Sequence, residues 1–433
     1  MNFVMETDES SASEENNSDA SYIVEASDSD ETIEDVVSLP STDSTFDLTL
    51  PATHSYLGNN LEELRGRTIL DDGIYMNLPL LVKQSVILFP GQTLPLTVHG
   101  RDTIEMLQKC IDKDRTFGVV CLDRDKMIPI GTTAEIYQYK SEIQSYGFRV
   151  KAKGRQRFKI LRLIQKGSGK ISADVKILPE ISLGPPLFDE RLVSLDRLRT
   201  PPTNKHQAKR RQILDRYDAV ATPWPSWVYR QYDSRILAIR IRQFLQYIET
   251  QGSSIPEDTT ELSFWVAQNL PLDDSERILL LAYNCAIPRL QWEIKYLVKD
   301  RVFTCSQCNE FIGKQSDIFP MSKEGPQNAY CNPAGIIHDT VTLYKAQGLV
   351  LSREEPCTDF SWFPGYAWTI ASCNCGVHMG WKFTAVQSDL RPVAFWGLTR
   401  KSLRSKKLGA KGQYWKSRIQ RYNNSDDFLT WSE

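Results

Sequence analysis

The sequence lacks any stretch of about 18 uninterrupted apolar residues, the length that a membrane-spanning helix needs. Its first residues also lack the basic start and the apolar run of a secretory signal peptide. We therefore expect a protein of the nucleus and cytoplasm. With 433 residues and 41% hydrophobic content, the chain is long and apolar enough to form two or three domains, each with its own core.

Catalytic signatures are missing as well. The sequence contains no Gly-x-x-x-x-Gly-Lys-Ser/Thr motif, and Gly167-Ser-Gly-Lys170 lacks the upstream glycine of that ATPase signature. The five histidines are scattered, and no nucleophile lies in a recognisable catalytic constellation. We therefore expect no catalytic residues and a protein that is not an enzyme.

Positive charge is absent from the first 64 residues, which contain 16 Asp and Glu. A segment this acidic, and rich in Ser and Thr, has little to bury, so we expect residues 1–50 to form a disordered tail. Within it, Ser27-Asp-Ser29-Asp-Glu resembles an acid-directed phosphorylation site.

The other end of the chain has the opposite charge, with ten Lys and Arg and no acidic residue between positions 390 and 425. For the basic tail, 409–433, we favour a solvated or nuclear-import segment. A zinc-containing nucleic-acid-binding protein that uses this tail is the alternative function.

Between the tails the residue pattern predicts an α+β fold in three parts. Residues 72–184 contain short β-rich runs separated by turn residues, which indicates a mixed, mainly antiparallel β domain. Its runs are 78–82, 86–89, 117–121, 134–137, 148–152, 158–161 and 173–177, with one helix at 103–112. Residues 185–300 show helical spacing, with helices expected after Asp233, at 261–269 and at 273–298. Residues 301–408 return to β-rich and aromatic runs, which indicates a second, small all-β domain.

The nine cysteines are too unevenly spaced for a disulfide framework. Cys305 and Cys308 have the two-residue gap that points two thiolates at one ion. Only one residue separates Cys373 from Cys375. We expect these two cysteines to complete a four-thiolate site around one structural Zn²⁺. An alternative second half uses Cys375 and His378 and leaves Cys373 out.

Three tryptophans, Trp362, Trp368 and Trp381, lie close together around the second cysteine pair. Pro364 and Gly365 lie between the first two and break both helix and central strand, so an ordinary core element is disfavoured. Indole faces suit a small flat or cationic ligand. The residues alone leave two interpretations open, namely an aromatic pocket or a small core filled by the rings.

Several motifs resemble those of a known family. Residues 301–408 resemble the thalidomide-binding (CULT) domain of the cereblon family, in the segments Cys305-Ser-Gln-Cys308, Tyr330-Cys-Asn-Pro333, Ser361-Trp-Phe-Pro-Gly-Tyr-Ala-Trp368, His378-Met-Gly-Trp-Lys-Phe383 and Phe395-Trp-Gly-Leu-Thr-Arg400. The upstream part resembles the N-terminal substrate-binding domain of Lon proteases, in the segments Pro90-Gly-Gln-Thr-Leu-Pro-Leu96, Gly131-Thr-Thr-Ala-Glu-Ile136 and Gly154-Arg-Gln-Arg-Phe-Lys159. The resemblance implies a Lon N-terminal-like mixed β domain, an α-helical section, and a zinc-stapled all-β domain of the β-tent type.

The resemblance also implies a role as substrate receptor of a cullin-4 RING E3 ubiquitin ligase, which presents substrates for ubiquitination and proteasomal degradation. The implied partners are a β-propeller adaptor of the damaged-DNA-binding protein 1 type, cullin-4 and the RING subunit. Residues 185–300 would dock on the adaptor. The aromatic run Trp224-Pro-Ser-Trp227-Val-Tyr229 suits such an interface, although packing within the helical section explains it equally well.

The same resemblance implies a pocket for a cyclic imide with three indole walls and an aromatic base, lined by Trp362, Trp368, Trp381, Phe383, Asn332 and Phe360. The implied ligands are thalidomide-like small molecules and substrate proteins whose C-terminal Asn or Gln has cyclised. Phe360 stands where family members commonly have a His that forms a hydrogen bond with an imide carbonyl. Because one such bond is lost, we expect imide binding to be weaker by up to about tenfold.

Overall fold

The computed structural model describes residues 46–58, 60–123, 126–140, 147–165, 170–198, 205–220 and 222–408. The predicted phosphorylation site at Ser27 and Ser29 and the predicted basic tail, 409–433, lie outside these residues, as does most of the predicted acidic tail.

The described strands and helices follow one another from a barrel through a helical section to a second β region. The strands are β1 (Glu62–Glu63), β2 (Ile74–Gln84), β3 (Thr93–Val98), β4 (Thr116–Asp123), β5 (Lys126–Lys140), β6 (Phe148–Gln165), β7 (Ile171–Leu178), β8 (Arg301–Cys305), β9 (Phe311–Lys314), β10 (Gln327–Cys331), β11 (Ile337–Leu343), β12 (Leu349–Leu351), β13 (Tyr366–Cys373), β14 (His378–Ala385), β15 (Ala394–Thr399) and β16 (Leu403–Lys407). The helices are α1 (Thr49–Thr53), α2 (Arg101–Lys113), α3 (Lys205–Ala219), α4 (Ser226–Arg230), α5 (Ser234–Thr250), α6 (Thr259–Asn269), α7 (Asp274–Ala282) and α8 (Ala286–Leu297).

Strands β1 to β7 form one sheet in the order β1-β5-β4-β2-β7-β6-β3, and an additional pairing of β5 with β6 closes it into a barrel. The pair β2–β4 is parallel and the other pairs are antiparallel. Three fully buried aromatic residues of this domain lie in two separate clusters: Phe117 and Phe148 pack in one that includes α2, and Phe158 packs in the other. This is the mixed, mainly antiparallel β domain that the sequence predicts.

Two predicted strands of the barrel differ from the structure. The run 86–89 does not pair as a strand. Its last residue, Phe89, begins a turn in which the side-chain Oε1 of Gln92 accepts from the Phe89 N–H and the Gln92 N–H donates to the Phe89 carbonyl. The runs that begin at Phe148 and Phe158 are parts of one strand, β6, which continues through Gly154. A side chain at Gly154 would collide with the backbone of Phe89, so glycine is needed where the strand passes this turn.

The helical section begins its helices with acidic caps. Asp233 caps α5, Asp258 caps α6, and Asp273 forms a capping box with Glu276 at the start of α7. The helix predicted at 273–298 is wrong as a single element, since it is broken into α7 and α8. Pro288 lies in the first turn of α8, where a missing N–H is tolerated, and it prevents a continuous helix. None of the described helices is both long and apolar enough to cross a membrane.

The remaining strands form two antiparallel sheets, as expected for an all-β domain. The larger has the order β10-β11-β15-β14-β13-β12, and the smaller has the order β16-β8-β9. Arg400, which follows β15, joins this domain to α7: its guanidinium lies 2.6 Å from the carboxylate of Asp274 and 3.2 Å from that of Asp339 on β11. Arg400 is only 4% exposed, so this ion pair is shielded from water.

The described chain begins with a short segment, 46–57, that packs against the C-terminal domain. Phe46 is buried and its ring lies edge-on to Tyr366, with centroids 5.3 Å apart. The N–H of Lys323 donates to the carbonyl of Leu48 (2.8 Å). Residues 46–50 are therefore ordered, which corrects the expectation that disorder extends to residue 50. Apolar side chains at 46, 48 and 50 give this segment the surface to bury that the acidic residues before it lack.

Candidate functional site

Two tight turns present the four cysteines of the predicted metal site. The first follows β8, where the N–H of Asn309 donates to the carbonyl of Cys305 (3.1 Å). The second joins β13 to β14, where the N–H of Gly376 donates to the carbonyl of Cys373 (2.8 Å). Gly376 has φ of 89°, a conformation that glycine adopts without strain. The one-residue spacing of the second pair therefore fits a hairpin turn.

The four thiol sulfurs of Cys305, Cys308, Cys373 and Cys375 lie within 4.8 Å of one another. The Sγ atoms of Cys305 and Cys375 are 3.7 Å apart, and those of Cys308 and Cys373 are 3.4 Å apart. Four sulfurs placed about 2.3 Å from a tetrahedral zinc would be separated by roughly 3.8 Å, so the cluster has the size that Zn²⁺ requires. With four thiolates the coordination shell is complete, which makes the role of the metal structural.

The thiols of the cluster differ in pKa: burial raises the pKa of Cys373 to about 12, whereas the pKa of Cys305 is lowered. Burial opposes ionisation of Cys305, but the backbone N–H groups of Cys308 and Gln307 favour its thiolate and lower its pKa to about 7. His378, the alternative ligand, is not part of the cluster: its ring packs against Trp381 with centroids 4.8 Å apart. The cluster includes Cys373, so the structure favours the four-cysteine assignment.

The three predicted indole walls come from one loop and two strands. Trp362 and Trp381 form a perpendicular corner, with ring centroids 4.6 Å apart and planes at 74°. Trp368 lies on β13 directly opposite Phe383 of β14, and both belong to the same aromatic cluster as Trp362. We call these three tryptophans, with Phe383, the aromatic cage. Gly380 lets β14 approach β15 just before Trp381, because a side chain there would collide with the backbone of Gly397.

The base of the cage is well packed. Phe383 is 1% exposed and contacts Phe363, with ring centroids 4.8 Å apart, and Phe395, with centroids 5.1 Å apart. Tyr330 on β10 stacks on Trp362 with centroids 4.9 Å apart and planes only 8° apart. Offset stacks and edge-to-face pairs of this kind hold aromatic rings in defined orientations, so the walls stand on a rigid support.

The structure also places the two remaining residues of the implied pocket, Phe360 and Asn332. Phe360 is 48% exposed and has φ of 56°, in the left-handed region. The side chain of Asn332 organises its own loop, because its Oδ1 accepts from the N–H of Ile336 (2.8 Å). Its Nδ2 remains the group that Asn332 could offer a ligand.

Two histidines lie beside the cage, and of these the sequence singled out only His378, as an alternative zinc ligand. His338 and His378 both contact the ring of Trp381, with centroid distances of 5.0 and 4.8 Å. Burial, reinforced by His378 and Lys401, lowers the pKa of His338 to about 4, so its ring is neutral at neutral pH. No sequence signal marks His338, because only the fold of β11 brings it to Trp381.

The helical section carries exposed aromatic residues. Trp224 is 59% exposed and Trp227 is 52% exposed, so packing inside the section does not account for them. Further exposed apolar residues flank them in sequence: Tyr217, Val220 and Tyr232. We call these five residues, which lie between positions 217 and 232 in sequence, the aromatic face. Exposed aromatic patches of this kind are typical of protein–protein interfaces.

Comparison with protein families gives two adjacent matches. Residues 77–299 match the ATP-dependent protease La (LON) substrate-binding domain. Residues 301–418 match the family described as Yippee zinc-binding/DNA-binding/Mis18, centromere assembly. Together with the four-thiol cluster, the second match confirms the prediction of one structural zinc.

Similar proteins align over most of the chain. The protein cereblon of Gallus gallus is 43% identical over 377 residues, which cover 83% of this chain and 84% of that protein. The protein cereblon of Danio rerio is 42% identical over 382 residues, which cover 83% of this chain and 87% of that protein. A solved structure, the Lon N-terminal domain protein from Xanthomonas campestris, aligns over 51% of this chain and 99% of its own, but its 17% identity and TM-score of 0.32 are too low to bear on the fold.

Proposed function

This chain belongs to the cereblon family, and from that premise we propose that it is the substrate receptor of a cullin-4 RING E3 ubiquitin ligase. In this proposal the aromatic cage binds cyclic imides, either at the C-terminus of a substrate protein or in a thalidomide-like molecule. The aromatic face docks on a β-propeller adaptor of the damaged-DNA-binding protein 1 type, which links the receptor to cullin-4 and the RING subunit. Bound substrates are then ubiquitinated and degraded, in the nucleus and the cytoplasm.

One observation carries the proposal, namely that the chain has one sheltered aromatic cluster and a second, exposed set of aromatic residues. The cage is sheltered: Trp362 is 6% exposed and meets Trp381 edge-to-face, with planes at 74°, in the same cluster as the buried Phe383. Such a corner suits a compact ring with two apolar faces. The aromatic face, by contrast, carries two tryptophans that are more than half exposed, which suits a large protein partner.

The chain's own residues support imide binding through contact and exclusion of water. The indole walls cover the faces of the imide ring, and Phe383 closes the base. The imide N–H and its two carbonyls require polar partners, which in this proposal are backbone groups of residues 360–362. Cys373 and Cys375, which would hold the zinc, lie at the hairpin between β13 and β14, the strands that carry Trp368 and Trp381, so a bound ion would fix this hairpin. It therefore contributes to the position of two walls and not to any reaction.

Adaptor docking is tested by binding of the full chain to the β-propeller adaptor, measured by biolayer interferometry. Replacement of both Trp224 and Trp227 by Glu should weaken binding by roughly a thousandfold, because central aromatic residues contribute about 2 kcal/mol each at interfaces. Ile74→Glu is the matched control, since Ile74 is 60% exposed but lies on the barrel. Equal binding by all three proteins would contradict the assignment of the docking surface, and no binding by any would contradict the receptor role.

A nucleic-acid-binding protein is the second candidate, because the C-terminal match includes DNA-binding in its description. The described strand β16 also carries three exposed cations, Arg404, Lys406 and Lys407. Salt-dependent binding of duplex DNA that is lost when residues 409–433 are deleted would support this candidate.

A further inference from the structure

The segment Asp359–Trp362 connects two walls of the aromatic cage. At one end the indole Nε1 of Trp368 donates to the carbonyl of Asp359 (2.9 Å). At the other end Trp362 is itself a wall and is 6% exposed. Between them, the N–H of Ser361 donates to the carbonyl of Thr358 (3.2 Å). Because both ends are fixed to walls, Phe360 is held between Trp362 and Trp368, beside the cage.

Phe360 occupies this position in an unusual way. Its φ of 56° lies in the left-handed region, which disfavours bulky side chains, and Asn or Gly would fit with less strain. Its side chain is nevertheless apolar and about half exposed. Strained backbone positions of this kind cluster at ligand-binding sites, which points to a functional role for Phe360.

The charges along the same rim are mainly negative. Residues 352–357 run beside β13, since the N–H of Ser352 donates to the carbonyl of Ile370 and the N–H of Cys357 to that of Trp368. Between these two contacts lie the exposed side chains of Arg353, Glu354 and Glu355, and Asp359 is exposed just beyond them. One positive and three negative charges therefore border the approach to Phe360.

We propose that Phe360 selects the residue that precedes the cyclised C-terminal residue of a substrate, with apolar and aromatic residues favoured and acidic residues rejected. This inference rests on the proposed function, that the cage holds a C-terminal cyclic imide. A cyclised Asn or Gln keeps its peptide nitrogen on the α-carbon of the imide ring. With walls and base closed around the ring, the peptide leaves through the open edge. The preceding side chain then passes over Phe360 and the acidic rim.

The test uses three peptides that end in a cyclised Gln and differ only in the preceding residue, which is Phe, Ser or Glu. Binding to the full chain is measured by fluorescence polarisation. The wild type should bind the Phe peptide roughly fivefold to tenfold more tightly than the Ser peptide, the effect of removing on the order of 50 Å² of apolar surface from water. The Glu peptide should bind most weakly of the three, and its disadvantage should become smaller at high salt, which screens the charge repulsion.

Phe360→Ala should remove the preference for the Phe peptide over the Ser peptide. Phe360→His should also remove this preference, and it should increase the affinity for all three peptides. Because Phe360 is half exposed, neither variant is expected to unfold the protein. Leu161→Ala is the matched control, since Leu161 is 50% exposed but lies on β6 of the barrel, and it should keep the wild-type preference.

A fourth ligand, an N-acetylated aminoglutarimide without a preceding residue, separates this inference from the proposed function. If that ligand binds and the wild type binds the three peptides equally, or if Phe360→Ala keeps the preference, the selectivity of Phe360 is refuted and imide binding stands. If that ligand does not bind to the wild type or to Phe360→His, the proposed imide function fails and the inference fails with it.

Discussion

The ring of Tyr330 lies flat on that of Trp362, with centroids 4.9 Å apart and planes 8° apart. Tyr330 is 2% exposed, and the rings of His54 and Tyr56 lie 5.8 and 6.3 Å from it on the segment that begins the described chain. The segment 46–57 and one wall of the aromatic cage thus both pack against Tyr330. The cage depends on residues nearly 300 positions away in sequence.

Replacement of Tyr330 tests this support. Tyr330→Ala should lower the free energy of unfolding by about 3–5 kcal/mol, the usual cost of truncating a buried aromatic residue, and should also weaken imide binding. Tyr330→Phe is the matched control, because it keeps the stacked ring and should bind imides as the wild type does. Denaturant unfolding and calorimetry measure the two effects. Wild-type imide affinity in a folded Tyr330→Ala protein would show that Trp362 needs no such support.

His54 should make stability depend on pH. Its ring is 1% exposed, and burial together with the nearby Lys151 lowers its pKa to about 3, against 6.5 for an ordinary histidine. Below pH 6.5 the unfolded chain binds a proton that the folded chain does not, so stability falls as the pH decreases. Between pH 7.5 and 5.5 the loss from His54 alone should be about 1.4 kcal/mol.

Urea unfolding of His54→Asn at the two pH values measures this contribution. Asn tolerates the left-handed backbone of His54, whose φ is 49°, and does not titrate in this range. The variant should lose correspondingly less stability at pH 5.5, while His206→Asn, which replaces an exposed histidine of α3, should behave as the wild type. An unchanged pH dependence in His54→Asn would contradict the assignment.

Removal of one zinc ligand should remove the metal. We expect Cys305→Ser to lose most of its zinc, measured by elemental mass spectrometry, and to unfold at a lower temperature because the two turns are no longer held together. Cys357→Ser and His378→Ala should keep one zinc per chain, since neither residue belongs to the four-thiol cluster. Stoichiometric zinc in Cys305→Ser would refute the four-cysteine site.

Arg400 should be important for the contact between the helical section and the C-terminal domain. Arg400→Met leaves the carboxylates of Asp274 and Asp339 without their shared partner, and such a change in a shielded ion pair costs about 3–5 kcal/mol. Arg404→Met, which replaces an exposed arginine on β16, should change the free energy of unfolding very little. Equal stability of the two variants in denaturant unfolding would contradict this prediction.

The sequence predicted the layout of the fold because most of its signals are local. Asp233 and Asp273 mark helix starts, and both cap the helices expected after them. The break between α7 and α8 also has a local signal, Pro288, which the helical periodicity outweighed in the prediction. The run 86–89 has strand-like residues, but the backbone N–H of Phe89 at its end is bonded to Gln92. Only the fold decides whether such backbone groups pair with another strand or form a turn.

Some parts of the candidate site could be predicted from the sequence and others could not. The spacing of Cys305 and Cys308 indicated a metal, and the fold then brought in Cys373 and Cys375 from some 65 residues away. Composition left pocket and core as equal interpretations of the tryptophans, and only the resemblance favoured a pocket. Tyr330 and His338 were missed because their roles depend on strand pairings that no single residue encodes.

The central claim is that the aromatic cage binds a cyclic imide, and calorimetry with a glutarimide ligand tests it most directly. Wild-type protein and Trp368→Ala are titrated under the same conditions, with zinc content checked for both. We predict measurable binding to the wild type and a loss of binding in Trp368→Ala, because one of three indole walls is gone. Equal affinity of the two proteins, or no binding by either, would contradict the claim.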